Sequence, residues 1–140
     1  MLMAGRVYKV KQLMLPSGWG KSYVLNKYQK KGQTRSIDCR GRTLCWDGPS
    51  SSEKLKFACD IESSDTNVKD IMTFCNINDS NRFLKTWVHL EVIAKVLNIP
   101  IFKYLKKYGF KYEGMWEDSL KTIYLYDDEL EMHMCFGVGK

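Results

Sequence analysis

The stretch over residues 87–114, WVHLEVIAKVLNIPIFKYLKKYGFKYEG, constrains the fold more than any other part of the chain. It begins apolar and β-branched, breaks at Asn98 and Pro100, continues rich in lysine, and breaks again at Gly109. Residues 88–93 read as a buried strand, because β-branched side chains pack well on a pleated surface. Pro100 suits the first turn of a following helix, where its missing N–H costs nothing. Ile101, Tyr104, Leu105 and Tyr108 fall on one face of that helix, and Lys103, Lys106 and Lys107 mostly on the other. Gly109 ends it in the left-handed conformation that glycine adopts cheaply. A second strand is predicted over residues 110–116. A strand, a helix and a strand in close succession need a sheet with helices packed on it. The expected fold class is therefore α+β: a single domain with a mixed, mostly antiparallel sheet and helices on its faces.

The remaining segments fit this frame. Alternation from Arg6 to Leu15 predicts a strand, followed by a turn over residues 16–20. Residues 23–28 suit a strand or one face of a helix. A turn is expected at residues 30–33, short strands at 34–39 and 42–46, and a loop at 48–52. Leu55, Phe57, Cys59 and Ile61 alternate onto one side of a predicted strand. Ser63, Ser64, Asp65 and Thr66 offer N-cap oxygens for a helix carrying Val68, Ile71, Met72 and Cys75 at the helical period. The Asn- and Asp-rich residues 76–81 break that helix, and Phe83, Leu84 and Trp87 resume it briefly. Residues 122–126 and the alternating Met132, Met134 and Phe136 predict the last two strands. The expected organisation is one domain of 140 residues, with a basic lobe over residues 1–48 and a βαβαββ portion over residues 53–140.

Composition narrows the function classes. The chain carries a net charge of +6, and residues 1–42 hold ten Lys or Arg against the single acid Asp38. Such a lobe attracts anions, which makes an acidic protein surface or nucleic acid the expected partner. Tyr8, Trp19, Tyr23, Tyr28 and Trp46 lie among these cations, the mix that holds single-stranded nucleic acid by stacking and phosphate attraction. Core aromatics are the plainer account of the same rings. No run approaches the roughly 20 apolar residues of a membrane span, so no membrane partner is expected. The first fifteen residues are too often interrupted by Arg and Lys to suit a secretory signal. Five scattered cysteines without a C-x-x-C pair suggest free thiols in a reducing, cytoplasmic compartment. His89 and His133 lie far apart in sequence and no paired ligand spacing is present, so no metal is predicted.

The pieces VHLEV, NIPIFKYLKKYGF and KYEG resemble the C-terminal part of the GNAT family of N-acetyltransferases. In that family a strand leads to an Asn, a helix, a Gly-Phe pair and two closing strands. FKYLKKYGF also resembles small phage-encoded GNAT-like proteins. For such a protein the location would be a host cytoplasm or a virion. The resemblance implies transfer of an acetyl group from acetyl-coenzyme A to an amine. It places Asn98 beside the cofactor's pantetheine arm, with Lys103 or Lys106 near its phosphates. Of the candidate catalytic residues, His89 or Glu91 would take up the amine proton through water. Tyr104 is the helix tyrosine nearest the family's usual general acid, one position away from it, where Leu105 stands and has no proton to give. The family's glycine-bearing pyrophosphate loop is missing between Phe57 and Asn81. These departures leave a non-catalytic interaction protein, or a basic nucleic-acid-binding module, as alternatives. Gly20-Lys21-Ser22 matches the end of a phosphate-binding loop, but a glycine turn between strands accounts for it more simply. The acidic positions Glu117, Asp118, Asp127, Asp128 and Glu129 read as solvated turns.

Overall fold

The computed structural model describes residues 5–29, 34–50 and 55–139. Four strands come first: β1 (Lys9–Leu13), β2 (Ser22–Leu25), β3 (Thr34–Ile37) and β4 (Thr43–Trp46). They form one antiparallel sheet in the order β1-β2-β4-β3. β5 (Phe57–Ser63) is followed by the helices α1 (Lys69–Phe74), α2 (Ser80–Leu97) and α3 (Ile101–Tyr108). β6 (Leu120–Asp127) and β7 (Met132–Gly139) close a second antiparallel sheet in the order β5-β7-β6. The architecture is α+β. Every strand pairing among the described residues is antiparallel, so the expected mixed sheet is replaced by two antiparallel ones. The turn expected at residues 30–33 lies outside the described residues, as do residues 51 and 52 of the loop over residues 48–52.

The main correction concerns residues 88–93. They lie inside α2, an 18-residue helix, and the order after residue 53 is strand, three helices, two strands rather than βαβαββ. The physical reason is burial on more than one side. Phe83, Leu84, Trp87, Val88, Leu90, Val92, Ile93, Ala94 and Val96 are all buried. A helix with apolar residues around much of its circumference has no clean 3.6-residue stripe and imitates a strand in sequence. The modest helix penalty of Val and Ile is outweighed by packing. Asp79 starts α2, its side chain accepting from the amides of Asn81 (3.0 Å) and Arg82 (3.2 Å). The capping role expected at residues 63–66 is not filled: α1 begins after Val68 with no side-chain cap.

Residues 110–116 do not form a strand either. Their aromatics clamp the chain to the helices instead: Phe110 stacks on Phe83 (4.9 Å), Tyr112 on His89 (4.3 Å), and Trp116 meets Tyr108 edge-on (5.0 Å). Gly109 ends α3 with the positive φ its position predicts (81°), but its ψ of −173° is extended rather than left-handed helical. Gly20-Lys21-Ser22 joins β1 to β2 and no helix follows it. Ser22 begins β2 and its hydroxyl donates to the Cys45 carbonyl (2.7 Å).

Alternation along β7 divides the core. Met132, Met134 and Phe136 turn toward the first sheet and meet Leu13, Val24, Leu44 and Trp46, together with Cys59 and Ile61 of β5. His133, Cys135, Gly137 and Gly139 turn toward α2. A methyl group on Gly137 would overlap Cγ1 of Val92, so the glycine is what lets α2 lie down on the sheet. Gly137→Ala is expected to cost about 1–3 kcal/mol by overpacking. Val92→Ala in the same chain should recover much of that loss, which urea denaturation of the two single variants and the double variant would measure. Additive losses would count against this contact.

Candidate functional site

Once residues 80–97 are a helix, Arg82, Lys85 and His89 share one stripe at i, i+3 and i+7. That stripe faces β6 and β7, where Tyr124, Tyr126 and His133 occupy the same side of the sheet; Tyr126 and His133 are cross-strand partners. Between them lies a cleft of about 550 Å³, lined by Arg82, Lys85, Tyr124, Tyr126, Asp128 and His133.

His133 is only 2% exposed. Its Nδ1 meets the Tyr124 hydroxyl at 2.7 Å, and its Nε2 is buried without a hydrogen-bond partner. Burial pushes the Tyr124 phenol up to about 12 and pulls His133 below the ordinary histidine range. Near neutral pH the pair is therefore an intact phenol beside a neutral imidazole. The phenol is the stronger acid and donates to Nδ1, which leaves the imidazole proton on Nε2. His133, a residue of the cleft's lining, thus keeps a desolvated N–H donor, and a buried donor without an acceptor costs free energy.

The flanks are ordered by ring contacts. The Lys85 ammonium sits 5.1 Å from the Tyr124 ring centroid, and His89 stacks on Tyr124 at 5.5 Å. His89 Nδ1 lies 2.8 Å from the Lys85 carbonyl; since a carbonyl only accepts, Nδ1 carries the proton. Burial lowers its pKa, so His89 serves as a neutral stacking plate. Tyr126 packs on His133 at 4.7 Å, and its hydroxyl pairs with Ser64 Oγ at 3.1 Å.

The residues singled out from sequence are dispersed. His89 and Glu91 do not share a strand face: two helical positions apart, they point about 200° from each other. His89 stacks on Tyr124 of the cleft wall, whereas Glu91 belongs with Lys95, Asp60 and Glu62 on the β5 side of α2, where burial and these charges set its environment. Tyr104 is fully buried. Its hydroxyl donates to the Lys111 carbonyl (2.9 Å) and accepts from Trp116 Nε1 (2.8 Å), so its polar atom is committed to the loop after α3. Asn98 does not follow a strand or cap α3. It closes α2 in the left-handed conformation (φ 58°), its amide bonded to the Lys95 carbonyl, and Pro100 precedes α3. Lys103 and Lys106 lie on the exposed face of α3. Of the aromatics placed among the N-terminal cations, Trp46 is in the core, and Tyr8 and Tyr28 are exposed.

Sequence reading missed Arg82, Lys85, Tyr124, Tyr126 and His133 as a group. The signal was present in two parts: a basic helical stripe and an alternating Tyr-x-Tyr strand. It needed α2 to be read as a helix first. Among the described residues no group of three or more His, Cys, Asp or Glu side chains is arranged to hold a metal ion, and no helix is long and apolar enough to cross a membrane. No protein-family model matches the chain, and neither the curated proteins nor the solved structures give a match.

Proposed function

We propose that this protein is a binding module for a phosphate-bearing anion, held in the cleft between α2 and the β6–β7 hairpin. The observation that carries this reading is the donor set. Arg82 and Lys85 on the helix and His133 on the strand line one cleft, and Nε2 of His133 has no hydrogen-bond partner. An arginine, a lysine and a desolvated N–H suit an anion with several acceptor oxygens. The helix amides contribute little directly, because Asp79 already accepts from the amides of Asn81 and Arg82. The positive end of the α2 dipole still favours negative charge nearby.

Acetyl transfer from acetyl-coenzyme A draws on the segment around Asn98, and there a helix rather than a strand leads into the Asn. The anion-binding reading needs no strand at that place. The test is calorimetry with inorganic pyrophosphate at low salt. The wild-type chain is expected to bind, and Arg82→Ala with Lys85→Ala to weaken binding at least about tenfold. Affinity should fall as salt rises, since the partners are partly solvated charges. Equal binding by the double variant would sink the proposal.

A further inference from the structure

Resting on that reading, we infer that the ligand of the cleft is a nucleotide, with its phosphate on Arg82, Lys85 and His133, its base on Tyr126, and hydrogen-bond donors of its sugar or base on Asp128. Three observations separate a nucleotide from a simpler phosphate.

The first is Asp128. It lines the same cleft as the two cations. A carboxylate repels a phosphate, so a site for a bare anion gains nothing from it. A ligand that is anionic at one end and rich in O–H or N–H donors at the other uses both signs of charge.

The second is Tyr126. The residue is 42% exposed although it sits on a strand next to a buried histidine. The ring meets His133 at a tilt of 58°, and the hydroxyl pairs with Ser64 Oγ. The open part is therefore a fixed aromatic surface, and little side-chain freedom is lost when a flat ring settles on it. The third is size: about 550 Å³ is within the range of small-molecule sites and far more than a phosphate group fills.

A nucleotide reaches such a site either free or as one unit of a single strand.

The experiment titrates the full chain with pyrophosphate, ribose 5-phosphate, adenosine 5′-monophosphate and a ten-nucleotide single strand. The monophosphate is expected to bind at least about tenfold tighter than ribose 5-phosphate. Tyr126→Ala should abolish that difference, and Tyr126→Phe should preserve it. A strand that binds tighter than the monophosphate, with a steep salt dependence, identifies nucleic acid as the source. Equal affinities identify the free nucleotide. Equal binding of ribose 5-phosphate and the monophosphate, or a difference that survives Tyr126→Ala, overturns the inference and leaves the anion site standing. If neither pyrophosphate nor any of the three other probes binds, both fall.

Discussion

Trp46→Ala is expected to remove about 3–5 kcal/mol of stability, the range for deleting a large buried aromatic. Trp46 has no exposed surface. It is enclosed by Trp19, stacked at 5.9 Å, and by the rings of Phe57 (5.4 Å) and Phe136 (5.3 Å), both near perpendicular to it. Its Nε1 donates to the Trp19 carbonyl at 2.6 Å. These neighbours come from the second sheet and from the β1–β2 connection, and Trp46 itself belongs to the first sheet, so the ring joins parts of the chain far apart in sequence. Truncation leaves a cavity that rigid strands on two sides cannot close. A domain of this size holds only about 5–15 kcal/mol in total, so the loss is a large share of it. Trp46→Phe keeps an aromatic in place and should lose roughly half as much. Urea denaturation measures both. A loss below about 1 kcal/mol for the alanine variant would mean that the two sheets do not close on this ring. The cleft lies on the other face of the second sheet, so the folded fraction of the variant should keep its affinity for phosphate.

What could be read from sequence follows from how many faces each segment buries. β7 alternates because one side meets the first sheet and the other meets α2, and Met132, Met134 and Phe136 announce it. α3 buries one face, so Tyr104 and the lysines opposite it were legible, as was the stop at Gly109. α2 defeats the same logic. It buries Leu90 as well as Val92 and Ile93, and continuous burial erases the periodicity that distinguishes a helix from a strand. Everything built on residues 88–93 as a strand moved with that one reading: the pairing of His89 with Glu91, the place of Asn98, and the strand expected at residues 110–116. The cleft was hidden for the same reason, since Arg82, Lys85 and His89 form a stripe only on a helix. Its other wall depends on the β6–β7 register, which brings Tyr126 opposite His133 and which no local pattern announces.

The stability of the chain is expected to fall as pH rises from about 5 to about 7 and to level off above that, and Asp60→Asn to remove much of that fall. Asp60 lies on β5 and faces α2, with 5% of its surface exposed. Its Oδ1 accepts from Ser36 Oγ (3.1 Å) and Lys95 Nζ (3.3 Å), and its Oδ2 is buried with no partner. Burial pushes Asp60 up to about 7 against the attraction of Lys95, which is weakened because the Lys95 side chain is 40% exposed. Burial likewise raises Glu62 to about 7. Between the unfolded carboxylate pKa and pH 7 the folded chain therefore holds protons that the unfolded chain has released. The stability linked to these groups is full at low pH and is lost as pH rises through about 7. For Asp60 the ceiling is on the order of 4 kcal/mol, from a shift of about three units. His89 and His133 act in the opposite sense: burial lowers both, so their contribution is present above the ordinary histidine range and is lost as pH falls through their depressed folded values. Asp60→Asn keeps an acceptor for Lys95 and Ser36 without a buried charge, and should raise stability at pH 8 by about 2–4 kcal/mol. Urea denaturation of both chains at pH 5, 6, 7 and 8 decides it; a variant that is less stable at pH 8 and keeps the wild-type slope refutes the account. Lys95 stands ten residues from Lys85, about 15 Å along α2. The substitution should therefore leave phosphate affinity at pH 6 unchanged, which separates the helix's pH-sensitive seat from the binding cleft at its other end.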